Sequence, residues 1–452
     1  MHVGCPKEIK PQEFRVGLTP DAARELVERG HRVTIQAEAG TGAGFTDQDY
    51  VAAGAEVAPD AQAVFAAADM IVKVKEPQQG ERAMLRQGQL LFTYLHLAPD
   101  PDQTRDLLAS GATAIAYETV TDQRGGLPLL APMSEVAGRL APQMGAWALQ
   151  KANGGRGVLL GGVPGVQPAR VVVIGGGVVG ASAARVAVGM GADVTVLDRS
   201  LARLAYLDDI YMGRLKTRYS NAGAIAELLP TADMVIGAVL IPGAAAPKLV
   251  SRAQLSGMLP GSVLVDVAID QGGCFETSHA TTHEDPVYTV DDVLHYCVAN
   301  MPGAVARTST QALGNATLPF VVALADRGWR DAVTANPHLR AGLAVHEGIL
   351  TSPPVGEALG LDARTPEALV GLCAATPTAR EERGEGGPGV VPGPPLLRQI
   401  SAAAPDRRNR PGPRTGPRRC GRPADRGSRP AAPLARGRRR MRRLPACAWR
   451  GP

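Results

Sequence analysis

Four side chains that could do chemistry follow short apolar segments, at points where the strands of a parallel sheet would end. Lys75 follows one such segment, His96 a second and Asp270 a third, and Arg15 lies in the loop after the first segment of the chain. In doubly wound sheets ligands bind outside the carboxyl ends of the strands, so these groups could meet in one cleft. An arginine can hold a carboxylate with two hydrogen bonds, a lysine can polarise a carbonyl group, and a histidine can transfer a proton near neutral pH. The set fits hydride chemistry on a small carboxylated substrate, in a cleft that closes to exclude water.

Two further polar residues lie near predicted strand ends. Tyr94 is expected on the same strand face as His96, and Asn300 follows the segment 295–299. Alone, each candidate has an ordinary explanation, since a single lysine or arginine is usually solvated and Asp-Gln-Gly-Gly is a common turn. The combination favours a site. The six cysteines form no C-x-x-C pair and no metal-ligand spacing, so no metal site is expected.

A second kind of site is indicated by the segment 170–199. A β-branched run predicts a buried strand, and Gly175, Gly177 and Gly180 follow it at the spacing G-x-G-x-x-G, before a helix and a second strand that ends at Asp198. Such glycines allow a tight turn, close approach of a pyrophosphate and close packing of helix on strand, while the helix N-terminus attracts phosphate. Asp198 would bind an adenosine ribose and repel a 2′-phosphate, which favours NAD over NADP. Arg199, which follows directly, bears on this choice in the opposite sense, because its positive charge could attract a 2′-phosphate.

The wider pattern is an alternation of strand-like and helix-like segments on both sides of a long helix predicted over 133–151. This alternation predicts an α/β protein with parallel sheets. After the glycine-rich half, the segment from 303 to about 372 is expected to be helical. No segment has the length and apolarity of a membrane span and no signal peptide is recognised, so a cytoplasmic protein with reduced thiols is expected.

The last part of the chain, 373–452, has a different composition from the rest. It holds 19 arginines, 14 prolines and 5 acidic residues, a balance of +14, whereas residues 1–372 carry 29 basic and 38 acidic groups, a balance of −9. A Pro/Arg-rich segment without apolar periodicity is expected to be disordered, and its arginine-only basicity indicates either GC-rich sequence read out of frame or an unrelated extension. Residues 1–372 are net acidic and lack the basic charge that would indicate nucleic-acid binding.

Residues 1 to about 372 resemble the alanine dehydrogenase family, which is related to the nucleotide-binding subunit of proton-translocating transhydrogenase and to saccharopine-type lysine-forming dehydrogenases. The resemblance is carried by long stretches, namely VGCPKEIKPQEFRVGLTP (3–20), KVKEP (73–77), FTYLHLA (92–98), APMSEVAGR (131–139), VVVIGGGVVG (171–180), VLVDVAIDQGGCFE (263–276) and YCVANMPGAV (296–305).

The resemblance implies two doubly wound Rossmann-like domains with a cleft between them: a discontinuous substrate domain (1–130 and 306–372) and an NAD-binding domain (131–305). It also implies a homohexamer built from dimers that oxidatively deaminates L-alanine with NAD to pyruvate, ammonium and NADH, and catalyses the reverse reaction.

The resemblance further assigns roles to residues. His96 becomes the acid/base and Asp270 the group that helps to activate water, and the substrate is bound by Arg15, Lys75, Tyr94 and Asn300. The cofactor contacts it implies are Ser134, Gly175, Gly177, Val178, Val179, Gly180, Asp198, Arg203, Ser220, Val239, Leu240, Val267, Ala268, Ile269, Asp270, Asn300 and Met301.

Two other functions are compatible with parts of this pattern. A transhydrogenase-type subunit would bind NAD and exchange hydride with a partner, but such chains usually lead to membrane helices. A non-catalytic nucleotide sensor whose arginine-rich tail binds nucleic acid would bind in a strongly salt-dependent way and turn over no amino acid. The sensor would leave Arg15, Lys75, His96 and Asp270 without a role.

Overall fold

The computed structural model describes residues 1–239 and 246–371. Leu240, one of the expected cofactor contacts, and the tail 373–452 lie outside the described residues, so the predictions made for them stay predictions. The strands are β1 (His2–Cys5), β2 (Arg32–Gln36), β3 (Glu56–Ala58), β4 (Met70–Val72), β5 (Leu90–Thr93), β6 (Thr113–Ala116), β7 (Arg170–Ile174), β8 (Asp193–Asp198), β9 (Lys216–Tyr219), β10 (Met234–Gly237), β11 (Val263–Asp266), β12 (Val287–Val290), β13 (Val293–Tyr296), β14 (Leu343–His346) and β15 (Ile349–Leu350).

Helices connect most of these strands. They are α1 (Pro20–Glu28), α2 (Asp47–Ala52), α3 (Ala61–Ala67), α4 (Gln79–Arg82), α5 (Pro101–Ser110), α6 (Ala131–Ala148), α7 (Val178–Gly189), α8 (Leu201–Tyr211), α9 (Ala222–Leu228), α10 (Arg252–Leu255), α11 (Ala306–Arg327), α12 (Trp329–Ala335), α13 (Pro337–Arg340), α14 (Pro353–Leu359) and α15 (Pro366–Leu369). Thr19 followed by Pro20 predicts the N-cap and first turn of a helix. The structure confirms this start of α1, because the Thr19 side chain accepts a hydrogen bond from the Ala22 N–H and Pro20 occupies the first turn. No helix of the described ranges has the length and apolarity needed to cross a membrane.

The strands form two sheets, and the predicted α/β class is confirmed. The first sheet has the order β15-β14-β6-β5-β4-β1-β2-β3, and the second has the order β12-β13-β11-β10-β7-β8-β9. Both are parallel except at one end, where β14 runs antiparallel to β6, β15 to β14, and β12 to β13. The expectation of only helical segments between 303 and 372 is therefore wrong, because β14 and β15 extend the first sheet.

Alternate residues of the central strands belong to different apolar cores. In β7, Val171 and Val173 belong to one core and Val172 and Ile174 to the other. In β4, Met70 packs on one side of the first sheet, in a different core from Ile71. Both sheets are thus buried on two faces, which explains why their strands read as continuous apolar runs.

Helix α6 packs against α7 at unusually short range. A Cβ atom placed on Gly138 would lie 2.3 Å from the carbonyl oxygen of Val179. The first turns of α6 contribute Met133 to the core of the first sheet, whereas Leu140 belongs to the core of the second. The helix therefore connects the two sheets and brings its N-terminal turns beside the glycine-rich turn.

Candidate active site

The candidate residues lie in loops beyond the strands rather than at their last positions. β4 ends at Val72, β5 at Thr93, β11 at Asp266 and β13 at Tyr296. The predicted strands that ran to the residues next to Lys75, His96, Asp270 and Asn300 are therefore too long. Loop positions at the carboxyl ends of strands still place these side chains at the sheet edges where ligands bind.

Arg15 is the centre of a buried polar cluster. Its side chain is 2% exposed, and it donates to Glu13 from Nε at 2.6 Å and from Nη2 at 2.5 Å. Nη2 also donates to Oδ1 of Asn300 at 2.8 Å, and Nη1 donates to the sulfur of Met133 at 3.0 Å. Nδ2 of Asn300 completes a triangle by donating to Glu13 at 3.0 Å. The predicted substrate residues Arg15 and Asn300 are thus brought together, and Glu13 holds both.

Burial and hydrogen bonding oppose each other in this cluster. Burial disfavours the charge on Arg15, but the hydrogen bonds and negative charge of Glu13 outweigh it and raise the pKa of the guanidinium. Burial likewise opposes ionisation of Glu13, but hydrogen bonds from Arg15 and Asn300 outweigh it and lower the pKa of the carboxyl group. Both groups are therefore charged, and Arg15 is a fixed cation.

Lys75 lies close enough to this cluster to be affected by its charge. Burial lowers the pKa of Lys75, the positive charge of Arg15 lowers it further, and the negative charge of Asp270 acts in the opposite sense. No carboxylate of the described ranges lies within 4.0 Å of the Lys75 ammonium. Its backbone is held by Glu8, which accepts the N–H groups of Val74 at 2.7 Å and Lys75 at 3.3 Å.

Glu8 also belongs to a buried ionic cluster with the neighbouring lysine. Lys73 is 0% exposed, and its ammonium lies 3.1 Å from Glu8 and 2.6 Å from Glu81. The two lysines of the sequence KVKEP therefore have different surroundings. Lys73 is paired and supports the structure, and Lys75 remains available to a ligand.

His96 is held in an unusual backbone conformation. Its φ angle is 50°, and Oε1 of Glu118 accepts its N–H at 2.6 Å and lies 4.0 Å from its ring Nδ1. The ring is stacked over that of Tyr94, with centroids 5.9 Å apart, and its side chain is 46% exposed. The hydroxyl of buried Tyr94 donates to the carbonyl of Leu129 at 2.5 Å, so Tyr94 presents its ring and not its hydroxyl to His96.

Asp270 lies in a tight loop after β11. The buried carboxylate of Asp266 accepts the N–H groups of Ala268 at 3.1 Å and Cys274 at 2.8 Å, together with the hydroxyl of Ser278 at 2.5 Å. Between Ala268 and Cys274 the chain makes a 3-10 turn, Ile269–Gln271, and Asp270 at its centre is exposed. The negative charge of Asp270 opposes the lowering of the Lys75 pKa.

The glycine-rich turn has the geometry that a dinucleotide requires. Gly175 has a φ angle of 103°, and a Cβ atom on Gly180 would lie 1.7 Å from the carbonyl oxygen of Gly175. A Cβ atom on Gly177 would meet no atom within 4 Å, so the backbone there is open to close approach. The N–H groups of Val178, Val179 and Gly180 donate to no acceptor in the part of the chain that the structure describes. These free donors at the start of α7 fit the pyrophosphate of a dinucleotide.

Asp198 is held at the end of β8 beside this turn. Its carboxylate accepts the N–H groups of Gly176 at 2.6 Å and Ser200 at 2.7 Å. Arg203 donates from Nε to the carbonyl of Gly176 at 2.5 Å, and the N–H of Ser220 donates to the carbonyl of Asp198 at 2.9 Å. Three of the predicted cofactor residues therefore surround the glycine-rich turn.

The other predicted cofactor residues lie at neighbouring positions. A Cβ atom on Gly175 would lie 3.0 Å from a methyl group of Val239, so Val239 borders the turn. Ser134 is half-buried in the first turns of α6, Val267, Ala268 and Ile269 belong to the loop held by Asp266, and Met301 is buried after Asn300. Contacts of these residues with a cofactor stay predictions.

Three carboxylates that hold candidate residues were missed by the sequence analysis: Glu8, Glu13 and Glu118. Glu118 is the second residue after β6, and its position near a strand end was a signal that could have revealed it. Glu13 has no comparable signal, because its partner Asn300 is distant in sequence.

Two parallel-dominated sheets, a glycine-rich dinucleotide turn and a buried cation cluster define the class of nicotinamide-dependent dehydrogenases. The chain belongs to the alanine dehydrogenase/PNT family: the model of the family's N-terminal domain matches residues 4–137 and that of its C-terminal domain matches residues 141–353. The predicted resemblance is thereby confirmed.

Individual relatives agree with this assignment. The alanine dehydrogenase of Halomonas elongata is 63% identical over 371 residues, which cover 82% of this chain and 100% of that protein. A solved structure of an L-alanine dehydrogenase is 53% identical, with a TM-score of 0.78, and the match covers 80% of this chain and 99% of that one. A transhydrogenase from Sinorhizobium meliloti is 27% identical, with a TM-score of 0.67, over 78% of this chain and 99% of that one. The transhydrogenase is the more distant relative, which disfavours the alternative of a transhydrogenase subunit.

Proposed function

We propose that the chain catalyses the reversible, NAD-dependent oxidative deamination of L-alanine to pyruvate, ammonium and NADH. The observation that carries this proposal is the buried hydrogen-bonded cluster of Arg15, Glu13 and Asn300, which acts on Lys75 through the charge of Arg15, in a chain of the alanine dehydrogenase/PNT family. A buried, permanently charged arginine is suited to a carboxylate, and a lysine of lowered pKa is suited to a carbonyl or imine group.

Each polar group can be given one role. Arg15 binds the substrate carboxylate, and its Nη1 is the suitable edge, because Nε and Nη2 are engaged by Glu13 and Asn300 whereas Nη1 donates only to the weakly accepting sulfur of Met133. Lys75 hydrogen-bonds the oxygen of pyruvate or the nitrogen of the imine. The glycine-rich turn and Asp198 would hold NAD, which would supply the hydride acceptor for the α-carbon of alanine. The half-exposed His96 exchanges protons with the substrate, and Asp270 orients the water that attacks the imine carbon.

NAD is the proposed cofactor because of Asp198. A carboxylate fixed by two backbone N–H groups at the end of β8 is a good acceptor for ribose hydroxyl groups and repels a 2′-phosphate. We also propose the division into a discontinuous first domain (1–130 and 306–372) and a nucleotide-binding domain (131–305), and a homohexameric assembly, which light scattering tests.

The direct test is the formation of NADH, followed by absorbance, with a panel of small L-amino acids and with D-alanine as the control. We expect turnover with L-alanine and NAD, and faster deamination at alkaline pH because the reaction releases a proton and uses the neutral amine. Absence of NADH above background with L-alanine between about pH 7 and 10.5, where the amine becomes deprotonated, would reject the proposed activity. Equal or faster turnover with NADP would reject only the choice of cofactor.

A further inference from the structure

The loop that carries Asp270 is folded sharply on itself. After the 3-10 turn Ile269–Gln271, Gly272 and Gly273 have φ angles of 87° and 78° in succession. A Cβ atom on Gly273 would lie 2.6 Å from Oδ2 of Asp266, so the loop passes directly over that buried carboxylate. Consecutive left-handed residues of this kind need support from the surroundings, because they form no regular ladder of hydrogen bonds.

The loop's N–H groups and its carbonyl groups are bound by different side chains. The N–H groups of Ala268, Cys274 and Phe275 donate to Asp266, as described for the first two and at 3.3 Å for the third. The carbonyl groups are bound by a lysine from the segment that precedes α10. Lys248 donates from Nζ to the carbonyl oxygens of Gly272, of Gly273 at 3.0 Å and of Phe275 at 3.1 Å.

These three bonds use the full donor capacity of the ammonium group. No carboxylate of residues 1–239 or 246–371 lies within 4.0 Å of Lys248, so its charge is directed at backbone carbonyls alone. Hydrogen bonds from a charged donor are stronger than those between neutral groups. Lys248 therefore binds the loop much as a bound cation would.

The backbone around Lys248 follows the same loop on both sides. The N–H of Ala246 donates to the carbonyl of Gln271 at 2.9 Å, and the N–H of Leu249 donates to the carbonyl of Cys274 at 2.7 Å. Lys248 lies between these two backbone bonds. Its ammonium group binds the carbonyls of the two left-handed glycines, Gly272 and Gly273, which lie between the two bonded carbonyls of the loop.

The position of the Asp270 side chain depends on the conformation of this loop. Its side chain is exposed and forms no hydrogen bond or ion pair with any described residue, so its position is set by the backbone of the loop alone. We propose that Lys248 is a positioning residue for Asp270, holding the loop in the conformation that presents this carboxylate to the substrate. The inference rests on the role given to Asp270 in the proposed function.

The test compares Lys248→Met with Lys151→Met, a change of the same kind at an exposed lysine away from the candidate site. Each is made in the full chain and in the Asp270→Asn background, with deamination kinetics and thermal melting measured for every variant. We expect Lys248→Met to lower kcat about tenfold to a hundredfold, the scale of a displaced catalytic group. Its melting temperature should stay within about 3 °C of the parent, and Lys151→Met should be indistinguishable from the parent.

The double variant separates positioning from a general effect. If Lys248 acts through Asp270, adding Lys248→Met to Asp270→Asn should lower the residual kcat by less than about twofold. The positioning role is overturned if the kcat of Lys248→Met lies within about twofold of the parent. It is also overturned if Lys248→Met lowers kcat by the same factor in the parent and in the Asp270→Asn background, or if Lys248→Met does not fold. Near-parent activity of Asp270→Asn alone would instead reject the role of Asp270 in the proposed function.

Discussion

Nη2 of Arg15 donates to Oδ1 of Asn300 at 2.8 Å, and this bond joins the loop after β1 to the turn after β13. Asn300 has a φ angle of 60°, a conformation that asparagine adopts more readily than most residues. Its side-chain amide accepts from Arg15 and donates to Glu13, so one residue of the second sheet orients both charges of the buried pair. The edge of Arg15 that we propose to bind the substrate therefore depends on how the two sheets are placed.

We expect Asn300→Gly to raise the KM for L-alanine about tenfold, the effect of one lost charge-assisted hydrogen bond. Glycine keeps the left-handed backbone, so the variant isolates the side chain. Asn300→Ala removes the same atoms but adds about 1 kcal/mol of backbone strain, so it should melt at a lower temperature than Asn300→Gly. Steady-state kinetics for alanine and NAD together with thermal melting give both results. An unchanged KM in the glycine variant would show that the Arg15–Asn300 bond does not orient the substrate site.

The two lysines of KVKEP should respond oppositely to replacement by methionine. Lys73 is enclosed by Glu8 and Glu81, so Lys73→Met leaves buried carboxylates without a partner and should cost about 3 kcal/mol of unfolding free energy. Lys75→Met removes a buried cation that has no carboxylate within 4.0 Å in the described ranges and that Arg15 repels. It should raise the melting temperature at pH 7 while abolishing most turnover.

The pH dependence of the Lys75 effect has a definite sign. Burial and the charge of Arg15 lower its pKa in the folded protein below the ordinary value of 10.5. At pH values between the pKa of Lys75 in the folded protein and 10.5, the unfolded chain binds more protons than the folded protein does. The free energy of unfolding therefore rises with pH across this range. The stabilisation by Lys75→Met should therefore be largest at neutral pH and fade above pH 10.5. Urea unfolding of parent and variant at several pH values measures it, and a variant that is less stable than the parent at pH 7 contradicts the prediction.

His96→Ala should lower kcat by about two to four orders of magnitude, the loss expected for an acid/base group, while NAD binding is retained. Glu118→Gln is the informative companion, because a glutamine carbonyl can still accept the N–H of His96 but carries no charge beside the ring. It should lose less activity than His96→Ala. Turnover of His96→Ala within a few-fold of the parent would assign proton transfer to another group.

Local patterns predicted much of this fold and site from the sequence. The glycine-rich turn, β7, β8 and the cap of α1 depend on residues close together in the chain, and they were found nearly at their true bounds. The predicted strand ends lie too far along the chain. Strand pairing ends at Val72 in β4 and at Asp266 in β11, but apolar residues continue beyond these positions towards Lys75 and Asp270.

What the sequence did not reveal depends on distant partners. β14 is a strand because it pairs with β6, so its short apolar segment has no local signal that separates strand from helix. Glu13 precedes Arg15 in a stretch that the resemblance already highlighted, yet its importance follows from its contact with Asn300. The buried partner of Lys73 likewise becomes clear only when Glu8 and Glu81 meet around it.

The choice between NAD and NADP can be tested at Asp198 with two variants that separate charge from structure. Asp198→Asn removes the negative charge but keeps an oxygen that can accept the N–H of Gly176, whereas Asp198→Ala also releases the turn. Both should raise the ratio of kcat/KM for NADP to that for NAD, by about tenfold or more, because a 2′-phosphate is no longer repelled and the exposed Arg199 can meet it. Only Asp198→Ala should also lower kcat/KM for NAD strongly, since Arg203 then holds the turn alone through the Gly176 carbonyl. If the ratio stays within about twofold of the parent in both variants, Asp198 does not select the cofactor.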